Sequence, residues 1–451
     1  MANTYLTRTP SGAGNRKTWT WSGWIKRSNL GAQQLIMHCY DGAASNRGAF
    51  KFQSNDTIGF DTGGSGSVGK IDTSAVYRDV SAWYHIVVVM DTTNATATDR
   101  QRIYVNGVRT TTTVDAQVGV DFNGGLINSA NAHEIGTEGG GGSFFNGSMS
   151  HIHFIDGTAY DASAFGETDA TTGEWKIKTS PSVTYGTNGF FILKDGNSVT
   201  DQSGEGNDFT VGGGTLTKTE DNPSNVFATL NGVKSGLDQT LSNGNTTMVS
   251  GSATTRTPSQ TTLGMSSGKY YAEFKITNSD NTVPGIVSTQ DNSSVSRGTK
   301  YYPGSSSEGW GYTKAPDVRN NSSAVGGTWS TFAVGDIIGV AINLDNLQGS
   351  LNKLYFSKNG VWQNGADPSN FTSVTGVVGI TAPSSTTDGF YYFSIGDGSG
   401  GTSSGSQCNF GNGYFGTTAV SSAGTNASGI GIFEYDVPTG FTALSTKGLN
   451  L

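Results

Sequence analysis

The segment Thr18-Trp19-Thr20-Trp21-Ser22 alternates polar and apolar residues with a period of two. That period sends successive side chains to opposite faces of an extended backbone, so it asks for a strand with one face in a core. Stretches of β-branched, aromatic and aliphatic residues follow at Leu35–Tyr40, Gly48–Phe52, Thr57–Phe60 and Trp83–Met90, then at Arg102–Val105, His133–Gly136 and Met149–Asp156. Asn106-Gly107 sits between two β-rich arms, and both residues tolerate the positive φ of a tight two-residue turn. Short strands separated by turn residues, with no helical periodicity between them, imply a β-sandwich rather than an alternating helix–strand fold.

The second half continues in the same way. Strand candidates lie at Lys269–Thr277, Ile337–Leu344, Lys353–Lys358, Gly376–Ile380 and Phe390–Ile395, joined by soft loops such as Gly304–Ser307 and Gly398–Gly405. Asp336–Leu344 is apolar on both faces, which marks a central strand covered on both sides. Gly212-Gly213-Gly214 reads as a joint, giving domains 1–213 and 214–451. The fold class is all-β, with two β-sandwich (jelly-roll) domains in tandem.

Composition excludes several functions. The 66 Gly and 10 Pro among 451 residues stay below the roughly 25–30% that marks a low-complexity chain. The 22 Phe, 17 Tyr and 8 Trp are those of a chain with a core. A net charge of −8 offers no basic footprint for nucleic acid. Cys39 and Cys408 are far apart and form neither a disulfide framework nor a metal motif. Met1–Tyr5 lacks a charged region followed by an apolar one, and the longest apolar run, Ile86–Met90, is too short to span a bilayer. The expectation is a chain made as a soluble protein, without membrane insertion, that reaches any extracellular place of action by a route such as lysis.

Three resemblances add to this reading. Trp83-Tyr84-His85-Ile86-Val87-Val88-Val89-Met90-Asp91, the Ile103-Tyr104-Val105-Asn106-Gly107 hairpin, Glu134-Ile135-Gly136 and the Phe145-Asn146-Gly147 turn into His151–Asp156 resemble a laminin G-like, concanavalin A-like jelly roll. Gly268–Phe274, Gly309-Trp310-Gly311-Tyr312, Gly335–Ala341 with Asn343-Leu344-Asp345, Phe356-Ser357-Lys358-Asn359-Gly360 and Asn409-Phe410-Gly411 are similar to a SPRY domain. The whole order resembles bacteriophage tail-fibre and appendage proteins. It runs from Ile155–Asp161 through Phe165-Gly166-Glu167, Tyr185–Phe190, Ser203–Phe209 and Asp221–Asn225 to the tail Phe433–Leu444.

Each candidate for chemistry has a plainer reading. Glu134 and Glu138 are the nearest carboxylate pair on a strand; four residues span about 13 Å at ~3.3 Å per residue. Glycosidase pairs sit about 5–5.5 or 6.5–9.5 Å apart. Gly136-Thr137 would shorten the span by turning the chain, but no Glu-x-Asp-x-Glu pattern occurs, and the pair is not read as catalytic. His151 and His153 share a strand face and could share a metal, yet no third ligand supports them, so packing is the reading. His85 reads as a fold-position histidine. Asp41, Asp61 and Asp91 lie near strand ends where calcium binds in laminin G-like domains, but none is assigned as a ligand. Trp19 and Trp21 read as core. Gly139–Gly142 reads as a turn, since no Lys-Ser/Thr follows. Tyr301 and Tyr302, beside Pro303-Gly304-Ser305, read as exposed loop aromatics and are the ligand-binding candidates.

The resemblance implies a non-enzymatic virion structural protein, a tail fibre or related external appendage subunit synthesised in the host cytoplasm. Its implied partners are other virion proteins, further copies of itself as a trimer, and host surface polysaccharide, with no cofactor and no nucleic acid. The alternatives are a capsid-decorating or head-fibre subunit and a polysaccharide-degrading tailspike.

Overall fold

The computed structural model describes residues 3–41, 47–62, 69–139, 141–194, 196, 198–233, 239–251, 258–279, 281–288, 302–345, 352–398 and 403–451. The chain divides into two compact units, Met1–Lys218 and Thr219–Leu451. Among the described residues, helical turns are three-residue 3-10 segments, and no helix is long and apolar enough to cross a membrane.

The first unit is a sandwich of two antiparallel sheets. The eight-stranded sheet runs Thr112–Ala116, Lys70–Thr73, Ile58–Asp61, Arg47–Phe52, Gln34–Tyr40, His133–Ile135, Tyr5–Arg8, Thr210–Gly213. The six-stranded sheet runs Phe190–Ile192, Gly147–Asp156, Thr18–Arg27, Tyr84–Asp91, Gln101–Val105, Val108–Arg109. Gly212 and Gly213 therefore lie in an edge strand paired with Tyr5–Arg8, not in a free joint. Trp19 and Trp21 are buried between the sheets. Trp21 meets Phe50 at 4.8 Å between ring centroids, and Trp19 meets Phe60 at 5.5 Å. Each such tilted or edge-on pair adds about 0.5–1.5 kcal/mol beyond the area it buries.

The six-stranded sheet is covered on its other face as well. Ala162, Phe165 and Trp175, from the chain that follows Asp156, pack on Val87, Val89 and Ile155. His85 lies between the rings of Trp24 and Trp175, at 4.9 and 5.9 Å. The Trp175 indole N–H donates to His85 Nδ1 at 3.0 Å, so Nε2 carries the proton and donates to Ser22 Oγ at 2.9 Å. Burial holds the ring neutral, with its pKa pulled down to about 3.

The Asn106-Gly107 turn is the two-residue hairpin expected, with φ of 49° and 82°. Asn106 Oδ1 also accepts the backbone N–H of His85 at 2.8 Å. A Cβ on Gly107 would fall 2.5 Å from the Trp175 ring. Gly107→Ala is therefore expected to cost about 2 kcal/mol from backbone strain and crowding, read as a lower urea midpoint for the first unit.

The second unit has a similar plan. Its larger sheet runs Gln239–Ser242, Thr247–Ser250, Ser404–Asn409, Lys269–Asn278, Ile337–Asn343, Asn352–Lys358, Val361–Trp362, with Thr442–Ala443 beside Lys269–Asn278 and Val378–Ile380 beside Asn352–Lys358. The facing sheet runs Ser259–Gln260, Tyr392–Asp397, Thr282–Val287, Gly309–Thr313, Asp317–Asn320, Ser323–Val325. Ile337–Asn343 is buried along its whole length. Ile338, Val340 and Ile342 enter the inter-sheet core, and Ala341 enters a second cluster with Tyr271, Tyr355, Phe433, Val437 and Phe441. The C-terminal segment thus covers the outer face of the larger sheet.

Glu273 is the charged group inside this second cover. It is fully buried. Its carboxylate accepts the backbone N–H groups of Glu434 and Tyr435, both at 2.9 Å, and Tyr271 Oη and Asn409 Nδ2, both at 3.2 Å. Burial pushes its pKa up to about 7, while these four donors pull it back. Cys39 and Cys408 are free and buried, one in each unit.

Candidate ligand-binding face

Cross-strand register builds one polar face on the first unit. Glu134 lies opposite His38, His38 opposite Ala49, Ala49 opposite Asp61 and Asp61 opposite Lys70. In the neighbouring rows Tyr40 lies opposite Arg47, and Lys51 opposite Gly59, which lies opposite Asp72. The alternate residues Met37, Cys39, Phe50, Phe60 and Ile71 enter the core, so all the charged residues share the outer face. Ala49 and Gly59 give that face a low floor between long side chains. The floor is buried, whereas Tyr40 on the rim is 39% exposed.

The charges on this face hold one another in place. Arg47 reaches Glu138 at 3.1 Å and Asp61 at 3.5 Å. Lys70 reaches Asp115 and, at 3.8 Å, Asp72, which also accepts Gln53 Nε2 at 2.8 Å. Glu134 and Glu138 both serve this face, Glu138 through its ion pair with Arg47.

His38 stands apart. Its ring stacks on Tyr40 at 5.8 Å, it is 2% exposed, and neither ring nitrogen has a hydrogen-bond partner. The Glu134 carboxylate is 3.8 Å from Nδ1. Burial pulls the His38 pKa down to about 4, with Glu138 opposing the shift. At neutral pH the ring therefore offers one N–H donor and one lone pair, both unmatched, and leaving them so costs about 1–3 kcal/mol each. Carboxylates, a guanidinium and an imidazole beside an exposed aromatic rim can take the vicinal hydroxyl pairs and apolar ring faces of a saccharide.

The other residues singled out in the sequence have structural settings. Tyr301 lies outside the described residues. Tyr302 is 8% exposed, which corrects the expectation of an open loop ring. The reason is local: Gly311 and Gly396 carry no side chain, and a Cβ there would fall 1.8 Å from Pro303 O and 2.7 Å from Pro303 Cδ, so the loop sits down on the sheet. His151 has a positive φ of 50° at a register shift, which breaks the regular alternation with His153. His151 bonds Ser150 Oγ at 2.8 Å and His153 bonds Tyr185 Oη at 2.9 Å, and both rings lie against Phe191. Asp61 and Asp91 belong to different sheets. Among the described residues no group of three or more His, Cys, Asp or Glu side chains is placed to hold a metal ion. Glu138 and Gly142 pair across the glycine turn. The polar face itself was not singled out by the sequence reading; the signal was the charged alternation in Arg47–Phe52 and Lys70–Thr73.

A family model described as the concanavalin A-like lectin/glucanases superfamily matches residues 2–163. No curated protein matches the chain. Among solved structures, the chain is similar to mouse laminin alpha1 domains LG4-5, at 10% identity and TM-score 0.27, over 88% of this chain and 80% of that one. It is also similar to the SPRY domain of human HERC1, at 17% identity and TM-score 0.28, over 39% and 94%. A third is the Ruminococcus gnavus IT-sialidase CBM40 bound to α2,3-sialyllactose, at 14% identity and TM-score 0.25, over 33% and 91%.

Proposed function

We propose that the chain is a non-enzymatic virion protein, a tail-fibre or related appendage subunit, that attaches to host surface polysaccharide through the polar face of its first unit. The observation that carries the attachment is the buried His38, whose ring nitrogens have no hydrogen-bond partner, beside Tyr40 and the Arg47–Glu138 pair. Support for the virion role is the order of sequence motifs that resembles phage appendage proteins. In this reading the subunit assembles with copies of itself as a trimer and with other virion proteins.

Purified protein is expected to bind host cells saturably and to release no reducing sugar from host polysaccharide. Arg47→Ala and Tyr40→Ala should each weaken binding about tenfold or more, because each removes a principal contact from the rim. Binding left unchanged by both substitutions contradicts the site, and release of reducing sugar contradicts the non-enzymatic role. Copy number in purified virions separates an appendage subunit, in tens, from a capsid-decorating one, in hundreds.

A further inference from the structure

The second unit contains a cavity of about 380 Å³ that owes nothing to the polar face. Its wall begins at Gly268, where the chain enters the Lys269–Asn278 strand. The Asp345 carboxylate accepts the Gly268 N–H at 2.6 Å and the Lys269 ammonium at 2.5 Å. Thr442–Ala443 runs parallel to Tyr270–Tyr271 and brings the chain at Phe441 and Thr442 to the cavity. Ala427 and Ser428 also line it, and Ala427 is exposed.

Tyr270 is the informative group. It is 3% exposed, it lines the cavity, and its hydroxyl lies beside Gly268, 2.5 Å from where a Cβ there would stand. No described residue hydrogen-bonds that hydroxyl. The hydroxyl keeps access to the cavity, so a guest there can take the place of solvent on it. Beside it stand one ammonium and one carboxylate that neutralise each other, serine residues and the apolar Leu449 and Leu451.

We propose that this cavity is a second ligand site and that it takes a single uncharged sugar unit. The volume lies at the small end of the range of ligand pockets, which suits one pyranose ring better than an extended chain. The Lys269–Asp345 pair supplies a donor and an acceptor without net charge, so an anionic or cationic ligand would leave one partner of the pair opposed. Leu449 and Leu451, exposed in the lining, give the ring an apolar surface, and Tyr270 gains the partner that the protein itself does not provide.

The test uses the full chain titrated with glucose, galactose and N-acetylglucosamine, with N-acetylneuraminic acid as the charged comparison, read by calorimetry and ligand-detected NMR. Saturable binding of at least one neutral sugar is expected. Tyr270→Phe should weaken it about tenfold, the value of one hydrogen bond. Ala427→Trp, at an exposed position, should block the cavity and abolish binding with the urea midpoint unchanged. The titrations are repeated in the Arg47→Ala background, which removes a rim contact of the first unit, so that the signal there reports the cavity alone. No binding of the three neutral sugars, preference for N-acetylneuraminic acid, or binding that survives Ala427→Trp would each overturn the proposal.

Discussion

Between pH 6.5 and 4.5 the first unit is expected to lose stability and the second to gain it. All five histidines belong to the first unit. Burial lowers the pKa of His38 and His133 to about 4, of His85 to about 3, and of His153 well below 6.5. In the unfolded chain these rings take up a proton near pH 6.5. Below that pH the unfolded state binds more protons than the folded one, and each ring withdraws about 1.4 kcal/mol per pH unit from folding. At pH 5 that is about 2 kcal/mol for each of His38, His85 and His133 and about 6 kcal/mol together, with His153 acting in the same direction, comparable to the entire stability of many domains.

In the second unit the sign reverses. Glu273 releases its proton near pH 4.5 when unfolded and near pH 7 when folded. Between those values the folded state keeps a proton that the unfolded state has lost. Stability therefore falls as pH rises through the window, by about 3 kcal/mol, and returns on acidification. Asp336 and Asp345 have pKa values lowered from 3.8 and titrate below the window. One buried thiol in each unit, Cys39 and Cys408, makes the two responses separable in the intact chain. Urea unfolding followed by disulfide exchange at each thiol should show the Cys39 midpoint falling from pH 6.5 to 5 while the Cys408 midpoint rises. Parallel movement of both midpoints would refute the assignment.

Glu273→Ala is the single substitution with the largest expected cost, about 3–5 kcal/mol in the second unit. It removes the common acceptor of two backbone N–H groups, Asn409 and Tyr271 at a fully buried position, and stranded buried donors pay their full desolvation. The loss also frees the C-terminal segment, because the carboxylate ties Glu434 and Tyr435 to the sheet. Glu273→Gln keeps one acceptor oxygen but cannot titrate. It should cost less than alanine and flatten the Cys408 pH response. If Glu273→Ala shifts the Cys408 midpoint by under about 1 kcal/mol, the carboxylate does not hold the cover in place.

What was legible in the sequence was what local pattern encodes. The Asn106-Gly107 hairpin follows from the φ that those two residues accept, the Trp19/Trp21 core from period-two alternation, and the central Ile337–Asn343 strand from apolar residues on both faces. What escaped depends on contacts distant in sequence. Trp175 covers His85 from 90 residues away, and Glu434 and Tyr435 grip Glu273 from 161 and 162 away. A glutamate in a strand reads as solvated until the segment that buries it is known. Likewise His38, Arg47, Asp61 and Glu134 become one face only through strand register. Tyr302 looked exposed because its loop is polar; the bare surface of Gly311 and Gly396, which lets the loop lie flat, is a tertiary fact.

The central claim is that the polar face of the first unit holds intact host glycan. A crystal structure of the full chain with an oligosaccharide from the host surface tests it most directly. The account predicts an uncleaved oligosaccharide along Tyr40, Arg47 and Glu138, with a hydroxyl bonded to a His38 ring nitrogen. A saccharide bound only elsewhere, or hydrolysed fragments between Glu134 and Glu138, would contradict it.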